Sequence, residues 1–307
     1  MRRNVLMASA AAMFLAAGGA AQAACDKVSF SDVGWTDITT TTSLTKHILE
    51  ALGYKVDVKI LAVPVTYASL KNGDVDIFLG NWMPAQSGEI TPYLKTGEIE
   101  SIAVNLEGTK YTLAVPTYTY EAGLKDFKDI VKFSKELDNK IYGIEPGNEG
   151  NAYLVGLAKE NKHELGKFAV VESSEQGMLA QVKRAYTAKK PVVFLGWEPH
   201  PMNANFSLKY LTGGEDFFGN EGVVNTVTRK GFVTDCPNVA VLLKNLKFTL
   251  PMENEIMGKI LDEGQEADKA TAAYLKANPK LVDAWLAGVT TKDGAPGLPA
   301  VKAKLGL

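Results

Sequence analysis

Three of the four tryptophans share one local pattern: a short apolar run, a glycine, then tryptophan at once or one residue later. The runs are Val28–Gly34 before Trp35, Val75–Gly80 before Asn81-Trp82, and Val192–Gly196 before Trp197. A strand that stops at glycine and presents an indole places the ring at its C-terminal end, the edge where open α/β sheets bind ligands. An indole face attracts cations, and rings converging on one cleft would form a box for a quaternary ammonium group. For any one ring, the alternative is an ordinary core tryptophan. The repetition, with Pro84 and Pro199 soon after two of the rings, favours the cleft for the set. Trp285 lies in the amphipathic stretch Leu281–Leu286 and reads as core.

A ligand in such a box also needs polar groups to orient it. Asp37, two residues past Trp35, stands where a helix should begin. It reads as a helix N-cap, as an acceptor for a ligand hydroxyl, or as both. Asn148, in the turn Glu145-Pro146-Gly147-Asn148-Glu149-Gly150, reads equally as a turn or cap residue and as a cleft residue. Glu198 beside Pro199 is either a second anion near the cation or a solvent-facing residue. His47, His163 and His200 lack the spacing of a metal site, and His200 reads as a surface-loop residue. The Thr39–Thr42 run reads as a polar helix face. No nucleophile elbow, phosphate loop or paired-carboxylate signature is present, and neither metal nor cofactor is expected.

The elements that must hold these residues alternate in type, the signature of an α/β fold. Strands are expected at Val28–Val33, Val56–Ala62, Val75–Leu79 and Tyr111–Val115. Helices are expected at Ile38–Leu52 and from Pro64 to Leu70. A second series follows: a helix near Phe127–Leu137, a strand at Lys140–Ile144, a helix after Gly150, a strand at Phe168–Val171, a helix near Glu175–Ala188 and a strand at Val192–Leu195. Val223–Thr228 reads as a return strand, and the chain from Pro237 onward as helical. Strands this apolar, with little alternation, suggest a parallel sheet covered on both faces. The restart near Tyr111 suggests two lobes, the second inserted in the first: residues 24–111 plus 216–307, and residues 112–215. Two crossing strands, near 109–115 and 215–228, would form the hinge. Paired lobes that close over a ligand are the architecture of a type II, Venus-flytrap binding protein.

The chain has 307 residues, 46% hydrophobic and 22% charged, an ordinary globular composition. Residues 1–23 read as a secretory signal: Arg2 and Arg3, an apolar run from Val5, then Ala21-Gln22-Ala23 before the cut. The alternatives are a membrane anchor, for which the run is short, and acylation of Cys25. The 33 basic side chains less Arg2 and Arg3 leave 31 against 35 acidic, a net of −4. With no basic patch, nucleic acid is excluded as a partner. Two cysteines, Cys25 and Cys236, in an exported chain suggest one disulfide, the alternative being two free thiols.

Gly34-Trp35-Thr36-Asp37, Leu79-Gly80-Asn81-Trp82-Met83-Pro84, Lys110-Tyr111, Pro146-Gly147-Asn148 and Leu195-Gly196-Trp197 resemble the choline-binding proteins of bacterial ABC transporters, within the wider glycine betaine/choline substrate-binding group. The resemblance covers essentially the whole mature chain. It implies a cage of Trp35, Trp82, Tyr111 and Trp197 around a trimethylammonium group, with Asp37 meeting the choline hydroxyl and Asn148 assisting. Tyr111 enters through the resemblance; its own setting suggests a hinge-strand core aromatic. The family's single disulfide matches Cys25 and Cys236, and a monomer is implied.

The expected protein is therefore a periplasmic binding component, not an enzyme, that delivers choline to an ABC permease. Acetylcholine and glycine betaine are the alternative ligands. A betaine carboxylate would be repelled by Asp37. A secreted choline-ester hydrolase and an extracytoplasmic sensor are the rivals from other classes.

Overall fold

The computed structural model describes residues 25–307; the expected signal segment, residues 1–23, lies outside them. The elements, in order, are β1 (Lys27–Asp32), α1 (Thr36–Ala51), β2 (Lys55–Ile60), α2 (Val63–Asn72), β3 (Ile77–Met83), α3 (Ser87–Thr96), β4 (Ile99–Pro116) and α4 (Thr117–Glu121). A 3-10 helix (Phe127–Phe133), β5 (Lys140–Tyr142), α5 (Glu149–Lys159), β6 (Ala169–Val171), α6 (Glu175–Thr187), β7 (Phe194–Glu198), α7 (Met202–Asn205) and β8 (Leu208–Tyr210) follow. The chain then returns through α8 (Glu215–Phe218) and β9 (Gly222–Arg229). It ends in α9 (Phe232–Asp235), α10 (Pro237–Asn245), α11 (Leu250–Leu261), α12 (Ala267–Ala277), α13 (Leu281–Trp285) and α14 (Gly297–Leu305).

The strands run in the order β2-β1-β3-β9-β4-β7-β5-β6, with β8 also on β4. The sheet is mixed, which corrects the expectation of a parallel one. β1 pairs in parallel with β2 and β3, and β5 with β6 and β7. The return strand β9 lies antiparallel between β3 and β4, and β4 is antiparallel to β7 and β8. Central strands buried on both faces lose polar alternation whichever way they run, so the apolar runs did not report direction.

β4 joins the two halves. Its first part, Ile99 to Thr109, pairs with β9, and from Lys110 it pairs with β7. The fold is thus that of a two-lobe binding protein, with one lobe inserted in the other. β4 spans 18 residues, far more than Tyr111–Val115. Register shifts near Ser101/Ala103, Val104/Leu106 and Glu107/Thr109 break its period-two pattern, and each such irregularity sends the next side chain to the other face.

Gly80 and Gly196 lie inside β3 and β7, so these strands do not stop at glycine. A Cβ at Gly80 would stand 2.7 Å from the Phe78 ring, and one at Gly196 would stand 2.7 Å from the Ala114 Cβ. Glycine is there because neighbouring side chains in the sheet leave no space for a Cβ. Gly34, after β1, has φ +81°, a conformation that glycine adopts freely.

The Thr39–Thr42 run also departs from expectation: Thr40, Thr41 and Thr42 are buried, because α1 packs against α11, α12 and α14. Trp285 is a core residue, as read. Cys25 and Cys236 form a disulfide that ties the start of β1 to the start of α10. Among the described residues, no helix is long and apolar enough to cross a membrane.

Candidate functional site

Trp35, Asp37, Trp82, Tyr111, Asn148 and Trp197 all line one cavity between the lobes, together with Ile144 and Glu149. Its accessible surface is wholly apolar, with the polar atoms of the lining residues buried behind it. Each ring reaches the cavity by a local device. Trp35 occupies the N-cap position of α1 in extended conformation, directly after the Gly34 turn. Trp82 lies on β3. Tyr111 on β4 and Trp197 on β7 are directly paired cross-strand residues, so one register places both rings. Trp82 and Tyr111 meet edge to face, with centroids 6.3 Å apart. Gly150 makes room for Tyr111, since a Cβ there would stand 2.2 Å from the phenol oxygen.

The polar groups are tied to the rings. Asp37 lies in the first turn of α1 and does not cap it, because the cap position belongs to Trp35. Its Oδ2 accepts from Trp82 Nε1 at 3.1 Å, while its buried Oδ1 has no partner among the described residues. Asn148 serves as cap and as site residue. Its Oδ1 accepts from Asn151 N at 3.1 Å and from the Tyr111 hydroxyl at 3.0 Å. A carbonyl oxygen has lone pairs for both.

The cavity wall is acidic. Burial, reinforced by the charge of Glu175, raises the Asp37 carboxyl to about 8. Burial likewise raises Glu149 to about 8 and Glu145 to about 7. Glu253, fully buried and close enough to feel Asp37, is also pushed well up by burial. No lysine or arginine lines the cavity among the described residues. Desolvated carboxylates without a cationic partner are costly to ionise, and a bound cation removes that cost.

Several of these acids were not singled out in the sequence. Glu149 and Glu175 lie, like Asp37, in the first turn of a helix that follows a strand. An acidic residue in the first turn of each of these three strand-to-helix units was the available signal. Two of the acids hold the lobes together: Trp35 Nε1 donates to Glu145 Oε1 at 2.9 Å, and Thr36 N donates to Glu175 Oε2 at 2.8 Å. Glu175 Oε1 also meets His200 Nε2 at 2.8 Å. His200 is fully buried, which corrects its reading as a surface-loop residue; it stands edge-on to Trp197 at 4.9 Å. Glu198 is half-buried and does not line the cavity.

Known structures share this fold. An ABC-transporter choline binding protein in complex with choline is 58% identical, over 92% of this chain and 98% of that one, with a TM-score of 0.90. An ABC-transporter choline binding protein in an unliganded semi-closed conformation, also 58% identical over 92% of this chain and 99% of that one, gives 0.84. The glycine betaine/carnitine transport binding protein GbuC of Listeria monocytogenes is 34% identical over 52% of this chain and 53% of that protein, so this match spans about half of the relative. Residues 26–277 match the family described as the substrate binding domain of ABC-type glycine betaine transport systems. With the match running through both lobes and the cavity between them, the chain belongs to that family of ABC-transporter substrate-binding proteins.

Proposed function

We propose that this protein captures choline in the periplasm, as a monomer, and hands it to the permease of its ABC transporter. The observation that carries the reading is the lining of the cavity: four aromatic and two acidic residues, with no basic residue among those described. Each ring face contributes roughly 0.5–2 kcal/mol to a bound cation, so four supply a large part of the ~8 kcal/mol that micromolar binding needs. In this reading Asp37 and Asn148 meet the hydroxyl; the unpartnered Asp37 Oδ1 supports the role. The 58% identity to a protein solved with choline supports the assignment.

In this reading lobe I is residues 24–111 plus 216–307 and lobe II is 112–215. The change of partner along β4 after Thr109 supports the first boundary. Trp35, Asp37, Trp82 and Tyr111 then belong to lobe I, and Asn148 and Trp197 to lobe II, so the cage is complete only in the closed form. Choline favours closure by binding that form better. No bond is made or broken. Glycine betaine is the second reading, favoured by the family description, but its carboxylate would face Asp37 and Glu149.

A thermal-shift and calorimetric panel of choline, acetylcholine, glycine betaine, carnitine and proline tests this. Choline is expected to give the largest stabilisation. Failure of every quaternary amine refutes the cage, and a larger effect of betaine favours the second reading. Release of free choline from acetylcholine would instead indicate a hydrolase.

A further inference from the structure

We infer that Glu149 is the counter-charge that makes the site select cations over zwitterions and neutral molecules, a role separate from that of the rings and of the hydroxyl-binding pair. The inference rests on the choline reading above and goes beyond it. Glu149 stands in the first turn of α5, buried, and is one of the residues that line the cavity. Oε2 accepts a long hydrogen bond from Asn148 Nδ2 at 3.3 Å, and Oε1 has no partner among the described residues. A buried carboxylate beside a cavity, with no basic partner, is complete only when the ligand brings the positive charge. Aromatic faces alone would also accept a neutral tert-butyl group by burial; a carboxylate would not reward it.

The groups around Glu149 agree. Glu145 and Glu89 add negative potential, Asp37 lines the same cavity, and the phenols of Tyr67 and Tyr111 feel its charge; Gln86 beside it tempers the effect. Its carboxyl, raised chiefly by burial to about 8, carries a proton at neutral pH until a cation enters. Binding therefore expels protons, from Glu149 and from Asp37. Cation affinity rises with pH up to about 8 and levels off above it.

The test is Glu149→Gln, which keeps shape and removes charge. Choline affinity is measured by calorimetry from pH 6 to 9, in buffers of different ionisation enthalpy to count released protons. The expected result is a loss on the order of 10–100-fold for choline. Fewer protons should be released at pH 7, and choline's preference over glycine betaine should shrink. Unchanged binding stoichiometry and ligand-free thermal midpoint show that the variant is folded. A choline affinity within twofold of wild type, or an unchanged proton count, overturns the inference. Wild-type protein that binds no quaternary amine would instead overturn the reading on which it rests.

Discussion

Replacing Glu175 by alanine removes a clasp between the lobes without touching the cavity wall. Its carboxylate is fully buried and has two partners. Oε2 accepts the Thr36 N–H of α1 across the cleft, and Oε1 accepts from His200 on its own side, both at 2.8 Å. His200 Nδ1 accepts Met202 N–H at 3.0 Å, so its proton sits on Nε2 and points at Glu175. Only the Thr36 bond is lost when the lobes part, because the His200 bond lies within one lobe. A hydrogen bond to a charged acceptor contributes about 1.5–3 kcal/mol. In the open form Thr36 N–H meets water, so that amount weights the equilibrium toward opening. At tenfold per ~1.4 kcal/mol, choline affinity should fall about 10- to 150-fold. Trp35–Glu145, Tyr111–Asn148 and Asn205–Asp262 remain as bonds between the lobes and keep the loss from being complete. The bond forms after the ligand has entered the open cleft, so the dissociation rate should carry the loss and the association rate should stay unchanged. Stopped-flow tryptophan fluorescence measures both rates. Glu175→Gln, which keeps a neutral acceptor for Thr36, should lose less. A folded alanine variant with a wild-type dissociation rate, or with the whole loss in association, would refute the reasoning.

Three further outcomes are expected. Asp37→Ala should weaken choline by roughly tenfold or more yet leave tetramethylammonium, which has no hydroxyl, much less affected; equal losses in calorimetric titration would remove Asp37 from that role. The Asp37 and Glu149 carboxyls, held near 8 in the folded protein, lose their protons at about 4 when unfolded. The unfolded state therefore gains relative stability as pH rises through that window, and the urea midpoint of the ligand-free protein should fall from pH 5 to pH 8. A midpoint that climbs over this range would contradict the sign. Finally, Cys25→Ser with Cys236→Ser opens a cross-link spanning 211 residues, for which chain entropy gives about 5 kcal/mol. A large drop in thermal midpoint should accompany choline affinity within twofold of wild type, because neither residue lines the cavity.

Much of the site was legible because its signal is local. A glycine followed by tryptophan at a strand edge is a statement about adjacent residues, and Trp35, Trp82 and Trp197 all reach the cavity. The alternation of strands and helices was equally local. What local pattern concealed was pairing. β4 was read as five residues because its bulges scramble period two, and the direction of buried strands left no trace in their apolar runs. Tyr111 stood out only by resemblance, since its value lies in facing Trp197 across a strand pair 86 positions apart in sequence (Tyr111↔Trp197).

Residue types alone pointed to an α/β chain and to three tryptophans with Asp37 and Asn148 beside them, which the structure brings to one cavity. These readings follow from chemistry within a few residues along the chain. Tertiary structure decided the charge of the cavity. Asp37, Glu145, Glu149 and Glu175 are unremarkable acids on separate elements in sequence, and any one alone would read as a solvated helix start. Folding brings them together away from water, where a carboxylate's proton affinity depends on its neighbours and its burial. No pattern along one chain reports that, because desolvation is a property of what packs around a group and not of the group itself.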